Sequence, residues 1–436
     1  MKNGTMRVGL IAMSGVRVRD AELMKLGLTL PGFVERSEVI ASLPSLSLLT
    51  LAALTPADVE VSYHEIADVG GALPVGDFDL VAISTMTAQA FEAYAVADAF
   101  RAGGVRVVIG GLHATCVPEE CAEHADAVCV GEGERVWPAI IADARAGRLK
   151  ARYQSGEPFD LKESPIPRFG LLDPSKYNRL TVQTARGCPH KCGFCASSIL
   201  IHPGYTVKPV DKIIAEIRAI KRIWAQPFIE FADDNSFLHR GHARELMAAL
   251  APERIRWFTE CDVSIGDDPE LLAMMHRAGC RQILIGLESP DEHGLGTVDP
   301  RGWKLRQVDK YERAVRAVQA SGITVIGCFV LGLDGQGPGS FAAVESFANR
   351  VGLYDVQVTV QTPFPGTPLY RRLAAAGRLT HPGRWDRCTL FDVNFEPEGM
   401  TKAELERDFR ALVSRLYTPR AVRARRAVFL RTRRAG

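Results

Sequence analysis

Short apolar runs alternate with helical patterns along the first 150 residues. Runs at 7–12, 59–63, 80–84, 105–109 and 127–130 predict buried strands, and 45–54, 88–101 and 118–124 predict helices. The first helix starts from Ser45 and carries Leu at close helical spacing. Strands alternating with helices imply a parallel, doubly wound sheet, and such sheets bind ligands at the carboxyl ends of their strands. A second series follows, with strands at 180–184, 228–232, 255–260, 282–287, 323–331 and 355–361. Helices are predicted at 210–224, from about 240, from about 269, and at about 308–320 and 340–351. The first of these places Ile213, Ile217, Ile220 and Trp224 on one face. Six strand units at this spacing predict a partial (β/α)6 barrel, whose active rim lies at the carboxyl strand ends. The Pro- and Ser-rich stretch 151–177 reads as a linker. After Pro368 come a helical pattern, an irregular stretch at 381–397 and a final helix from Lys402, a small helical unit placed to act as a lid. The predicted division is therefore 1–150, 151–177, 178–370 and 371–436. The tail from Arg415 carries eight arginines and no acid, which reads as a solvated or disordered end.

Composition narrows the class without deciding it. The 436 residues are 47% hydrophobic and 24% charged, ordinary for a globular protein. A net charge of +2 argues against a dedicated nucleic-acid binder. No apolar run reaches about 18 residues, so no membrane span is expected. The apolar start at 6–12 is too short for a signal peptide, and a cytoplasmic location is expected. Seven of the ten cysteines are scattered, mostly in apolar segments, as small buried hydrophobes would be. Cys388 reads the same way, with a substrate-facing thiol as the alternative.

The other three cysteines, Cys188, Cys192 and Cys195, are spaced C-x3-C-x2-C directly after the strand at 180–184. Three close thiolates can hold three irons of a cubane, whereas four-iron clusters normally use four cysteines. With no fourth cysteine nearby, one iron would remain open, which suits a catalyst. A structural zinc site wants four ligands, and His190, two residues after the first cysteine, is poorly placed to complete one. The pattern resembles the signature of the radical S-adenosylmethionine (SAM) superfamily. That resemblance implies a 4Fe-4S cluster whose open iron chelates the amino and carboxylate groups of SAM, with Phe194 packed around the cluster. Polar residues at the later strand ends, Asp233, Asp234, Glu260, Glu288 and Gln361, would seat SAM by the same resemblance. Alternatively, such residues merely cap helices.

Three strand ends in the first series carry small and polar residues: Ser84-Thr85, Gly110-Gly111-Leu112-His113 and Gly131-Glu132-Gly133. Glycine there lets a ligand approach the backbone. In this order, upstream of the cysteines, the GGLHAT and GEGE runs resemble the N-terminal domain of cobalamin-dependent radical SAM enzymes. The resemblance implies cobalamin against Ser84, Thr85, Gly110, Gly111, His113, Gly131, Glu132 and Gly133. The DxHxxG motif that supplies a cobalt-ligating His is missing, which implies no protein His on cobalt. The implied reaction is C-methylation of an unactivated carbon in a small-molecule, specialised-metabolite substrate, with electrons from an external flavodoxin- or ferredoxin-type donor. Cyclisation, rearrangement or SAM-fragment transfer on the same scaffold is one alternative. A non-catalytic cobalamin- or metal-binding sensor is another.

Overall fold

The computed structural model describes residues 5–13, 16–17, 22–23, 39–40, 43–66, 73–74, 76–196, 204–290, 292 and 294–435. The first unit is a parallel sheet of β1 (Arg7–Met13), β2 (Glu60–Ile66), β3 (Leu80–Ser84), β4 (Arg106–Gly110), β5 (Ala127–Val130) and β6 (Arg152–Gln154). Their spatial order is β2-β1-β3-β4-β5-β6. The order reverses between β1 and β3, a topological switch point whose carboxyl ends form a crevice. Both sheet faces are covered. Leu80, Ala82 and Val108 pack against α1 (Leu46–Leu54) and α5 (Trp137–Arg145). Val81, Ile83 and Ile109 pack against α2 (Ala90–Ala102), α3 (Leu112–Cys116) and α4 (Pro118–His124). Burial on both sides explains why these strands read as continuous apolar runs.

The second unit is a parallel sheet in chain order: β7 (Leu180–Val182), β8 (Phe228–Phe231), β9 (Arg256–Cys261), β10 (Cys280–Glu288), β11 (Thr324–Leu331) and β12 (Asp355–Val360). Among the described residues β7 and β12 are not paired with each other, so the barrel is partial. Its outer helices are α6 (Val210–Ile223), α7 (Arg240–Leu250), α8 (Pro269–Arg277), α9 (Tyr311–Ala320) and α10 (Gly339–Val351). The apolar stripe of α6, Ile213, Ile217 and Ile220, is buried in the barrel core. Trp224 lies just past the helix as its C-cap. Three more helices follow, α11 (Pro368–Ala375), α12 (Lys402–Leu416) and α13 (Pro419–Ala435). Among the described residues no helix is long and apolar enough to cross a membrane.

Two expectations change. The stretch 151–177 is not a free linker: β6 pairs with β5, and Phe159, Leu161 and Phe169 are buried. The arginine-rich tail is not a solvated end either. It forms α13, which lies on the barrel with Arg425 and Phe429 buried. Arg425 donates to the Leu416 carbonyl (2.9 Å), ending α12. Arg426 donates to Asp355 (3.2 Å) and lies 4.3 Å above the Tyr354 ring. Gly352 ends α10 at φ +64, and a Cβ there would come within 2.5 Å of Val428, so α13 packs against a position only glycine fills. Phe429→Ala should cost about 3 kcal/mol, because it empties a packed aromatic site. Chemical denaturation checks this, since a solvated tail would show no loss.

Candidate active site

The loop after β7 is shaped by three residues after β8. The Asp233 carboxylate accepts hydrogen bonds from the backbone N–H of Thr184 (2.7 Å) and Ala185 (2.9 Å). It also accepts from the hydroxyls of Thr184 and Ser236. Asp234 accepts from the Gly187 N–H (2.8 Å), where φ of +83 turns the chain into the cysteine loop. Asn235 donates to Asp262 (2.9 Å), and its amide nitrogen lies 3.7 Å from the Cys188 sulfur. The far end of the loop is tied down as well: Gly193 N–H donates to the Val298 carbonyl (2.8 Å), and Leu369 N–H donates to that of Gly193 (3.0 Å).

Cys188, Cys192 and Cys195 thereby open onto one cavity of about 280 Å³, which Phe194, Asp234, Glu260, Glu288 and Gln361 also line. Asp233 does not line it. All its hydrogen bonds go to the loop backbone and to hydroxyls, so it positions the loop instead of facing a ligand. Among the described residues no three His, Cys, Asp or Glu side chains converge on a single metal ion. A cubane asks something different of the thiolates, since each binds its own iron. Burial pushes the Cys192 thiol up to about 12, against the pull of Lys304, so metal loading must displace protons.

The charged residues of the cavity wall are mostly acidic. Glu288 sits at φ +62 and pairs with buried Lys304 (2.6 Å), which also donates to the Gly286 carbonyl (2.7 Å). Burial, the largest single influence, would lower the Lys304 pKa, but Glu288, Cys192 and Tyr311 together outweigh it and the net shift is upward. Burial, reinforced by Glu230, Asp234 and other acids, raises Glu260 to about 8. At Asp262 burial pushes up as well, yet hydrogen bonds from His190, Ser264 and Asn235 outweigh it and hold the carboxyl well below its usual range. The His190 ring in turn lies 4.1 Å from that of Trp303. Gln361 lines the cavity with its amide oxygen buried and unpartnered. Sequence reasoning missed Lys304, which comes from a stretch without strong periodicity. It also missed Gln357 and Leu390, which line the same cavity.

A second cavity of about 260 Å³ lies over the carboxyl ends of β3, β4 and β5. Ser84, Thr85, Gly110, Gly111, Gly131, Glu132 and Gly133 line it, with Leu48, Leu51, Trp137 and Arg186. The glycines make the cradle possible. Gly111 is at φ +98, and a Cβ there would meet the Thr85 backbone at 2.7 Å; Gly131 is at φ +79 with open space before it. Among the described residues no His lines this cavity, and the Cys129 thiol that does is pushed up to about 12, chiefly by burial. A largely apolar, glycine-edged crevice suits a large planar cofactor such as cobalamin.

His113 is a correction. It lies within α3, not in a loop, and its ring is turned away from the cavity. The ring is fully buried, bonded to the Tyr94 hydroxyl (2.8 Å), with its centroid 5.6 Å from the Trp385 ring. Burial lowers its pKa to about 4, against the opposing Glu120. Trp385 itself donates to Glu120 (2.9 Å), so the C-terminal segment is seated on the first sheet. Cys388 is buried in the same apolar cluster.

Residues 182–348 match the radical SAM superfamily, 42–141 the B12 binding domain, and 367–435 a domain of unknown function. The chain joins a B12-binding domain to a radical SAM domain. Radical SAM domains work with a 4Fe-4S cluster and SAM, and B12-binding domains with cobalamin. The chain is 28% identical to bacteriochlorophyllide d C-12(1)-methyltransferase of Chlorobaculum tepidum, over 87% of this chain and 84% of that one. It is 26% identical to the C-8(2)-methyltransferase of the same organism, over 77% of each. Among solved structures it matches the radical S-adenosylmethionine methyltransferase TsrM from Kitasatospora setae, determined with cobalamin and a [4Fe-4S] cluster. The TM-score is 0.68 at 17% identity, over 99% of this chain and 100% of that one, a likeness of fold.

Two outcomes follow for this radical SAM protein. Asp233→Ala leaves two buried N–H donors of the cysteine loop unsatisfied and should cost about 3 kcal/mol. Iron content after reconstitution should fall with it, which thermal unfolding and iron assay check together. At His113 an unfolded ring takes a proton near pH 6.5, the folded one only near 4. The stability from this site is therefore complete above pH 6.5 and is lost on acidification toward 4, by up to about 3 kcal/mol. Urea unfolding across that range should be steeper in pH for the wild type than for His113→Gln.

Proposed function

We propose that this radical SAM protein is a cobalamin-dependent methyltransferase acting on an unactivated carbon of a small molecule. The observation that carries the reading is the pairing of two cavities in one chain. The cysteine triplet opens onto one, glycine strand ends line the other, and Arg186 lies between them at the edge of the second. The similarity to two C-methyltransferases over most of the chain supports it.

In this reading Cys188, Cys192 and Cys195 hold three irons, and Phe194, Asp234, Glu260, Glu288 and Gln361 contact SAM. Ser84, Thr85, Gly110, Gly111, Gly131, Glu132 and Gly133 hold cobalamin. When bound, the cluster and SAM supply the means to remove a hydrogen atom from an inert carbon, and cobalamin supplies a methyl group that such a carbon can accept. The chain's own groups bind and orient. Glu260, with its pKa near 8, is a neutral carboxyl at pH 7 and donates a hydrogen bond without adding charge. Glu288 is paired with Lys304 and accepts. Gln361 offers the buried amide oxygen that the protein leaves unpaired. Phe194, Phe364 and Leu390 give the same cavity apolar wall, which keeps water from the reacting centre. We place the protein in the cytoplasm with a flavodoxin- or ferredoxin-type donor, because open thiolates and a low-potential cluster need a reducing compartment.

Anaerobic reconstitution with iron, sulfide and hydroxocobalamin, followed by an assay on candidate small molecules, tests the function. A methyltransferase should release both 5′-deoxyadenosine and S-adenosylhomocysteine with a methylated product. The Cys188→Ala/Cys192→Ala/Cys195→Ala variant should lose the cluster absorbance and SAM cleavage together. Release of 5′-deoxyadenosine without S-adenosylhomocysteine or methylated product would favour cyclisation or fragment transfer. Absence of SAM cleavage would favour a sensor.

A further inference from the structure

Arg186 belongs to both halves of the molecule. It stands two residues before Cys188, yet its side chain lines the glycine-edged cavity of the first sheet. Its guanidinium is nearly spent on fixed partners. Nη1 donates to Glu132 (2.6 Å) and Nη2 to Glu134 (2.7 Å), while Nε and Nη2 both donate to Gln183 (3.2 and 2.9 Å). The three ionic side chains are 15%, 5% and 11% exposed. The other oxygen of Glu132 accepts from the Phe159 N–H (2.6 Å), so the glutamate cannot swing without breaking a second bond. On the barrel side Gly187 is held by Asp234, which lines the cysteine cavity. Short, charge-assisted bonds thus tie the turn Glu132-Gly133-Glu134 to Arg186, two residues before the first cysteine, and Asp234 holds Gly187 between them. Bonds of this kind are the strong and directional ones, and a fork of fixed geometry transmits position in a way a single charge does not.

We propose that Arg186 is a positioning residue that couples the two cofactor sites. One guanidinium sets the Glu132–Glu134 turn against cobalamin and the start of the cysteine loop against the cluster. Filling the cluster site fixes Cys188 and with it the fork, so the turn is ordered before cobalamin arrives and less ordering entropy is lost on binding. By reciprocity cobalamin favours the cluster-bearing loop to the same extent. The inference rests on the cofactor sites assigned under the proposed function.

The test is an anaerobic absorbance titration with hydroxocobalamin, made on reconstituted protein and on the Cys188→Ala/Cys192→Ala/Cys195→Ala variant. Each is measured with Arg186 in place and as Arg186→Lys. The cluster-bearing protein should bind about tenfold more tightly than the cluster-free one, within the usual range of coupling between sites. With Arg186→Lys, whose ammonium cannot span both carboxylates, the two affinities should become equal. A merely structural role would weaken both equally and leave their ratio unchanged. Glu134→Gln, which removes one arm and leaves no unpaired charge, should give an intermediate ratio and guards against a variant that fails to fold. The paramagnetic resonance of the reduced cluster should also shift on adding hydroxocobalamin to the wild type and not to Arg186→Lys. A ratio near one in the wild type, or a tenfold ratio kept in Arg186→Lys, would overturn the coupling while leaving both sites standing. Failure to take up hydroxocobalamin or iron at all would overturn the site assignments and the coupling with them.

Discussion

A carboxylate taken out of water must have its lone pairs filled or give up its charge, and Asp233 is where this constraint governs the molecule. Burial pushes its pKa up, and bonds from Thr184, Ala185 and Ser236 pull it back. Those donors lie on the two sides of the β7–β8 edge, so satisfying the carboxylate fixes where β7 stops and how the cysteine loop leaves it. The next two residues extend the arrangement outward, Asp234 to Gly187 and Asn235 to Asp262. Three consecutive polar residues convert a strand end into a frame for a loop that has little regular structure of its own. Arg186, inside that frame, then carries the same order across to the first sheet.

Much of the fold was legible because burial leaves a periodic trace. Apart from β6, α3, α5 and α13, the strands and helices were predicted within a few residues, and the run 118–124 matched α4 at both ends. The misses have physical causes. β7 ends at Val182, not at 184, because Asp233 takes the Thr184 N–H that a longer strand would give to a neighbour. The tail looked solvated because eight arginines dominate its composition. What docks it lies far away in the chain, in the Tyr354 ring, the Asp355 carboxylate and the space left by Gly352.

The site divides the same way. The cysteine triplet and the glycine strand ends were legible because their chemistry is written in consecutive residues. Lys304 and the partners of Arg186 were not, since those pairs join positions 16 and more than 50 residues apart. His113 was misplaced for a conformational reason. Gly111, at positive φ, turns the chain into α3, and the His two residues later faces the covering helices instead of the crevice. Asp233 was assigned to the right neighbourhood and the wrong partner, because a strand-end carboxylate looks alike in sequence whether it meets a ligand or its own backbone.

The charges left after internal pairing bear on what the cysteine cavity can hold. Lys304 is committed to Glu288, and His190 and Asn235 to Asp262, so these groups supply shape more than net charge. Asp234 accepts from the Gly187 N–H and Glu260 is pushed toward its neutral form, beside thiols that become thiolates once metal is bound. Burial, reinforced by the crowding of acids around it, is what lifts Glu260 toward neutrality. A dianionic or strongly acidic ligand would meet this wall unfavourably, whereas a molecule carrying a sulfonium and an ammonium group would be drawn to it. SAM is such a molecule, and its attraction falls where the hydrogen bonds of the strand ends can orient it. The acidic groups on the wall and the raised pKa of Glu260 are then two consequences of carboxyls buried together where water is largely removed.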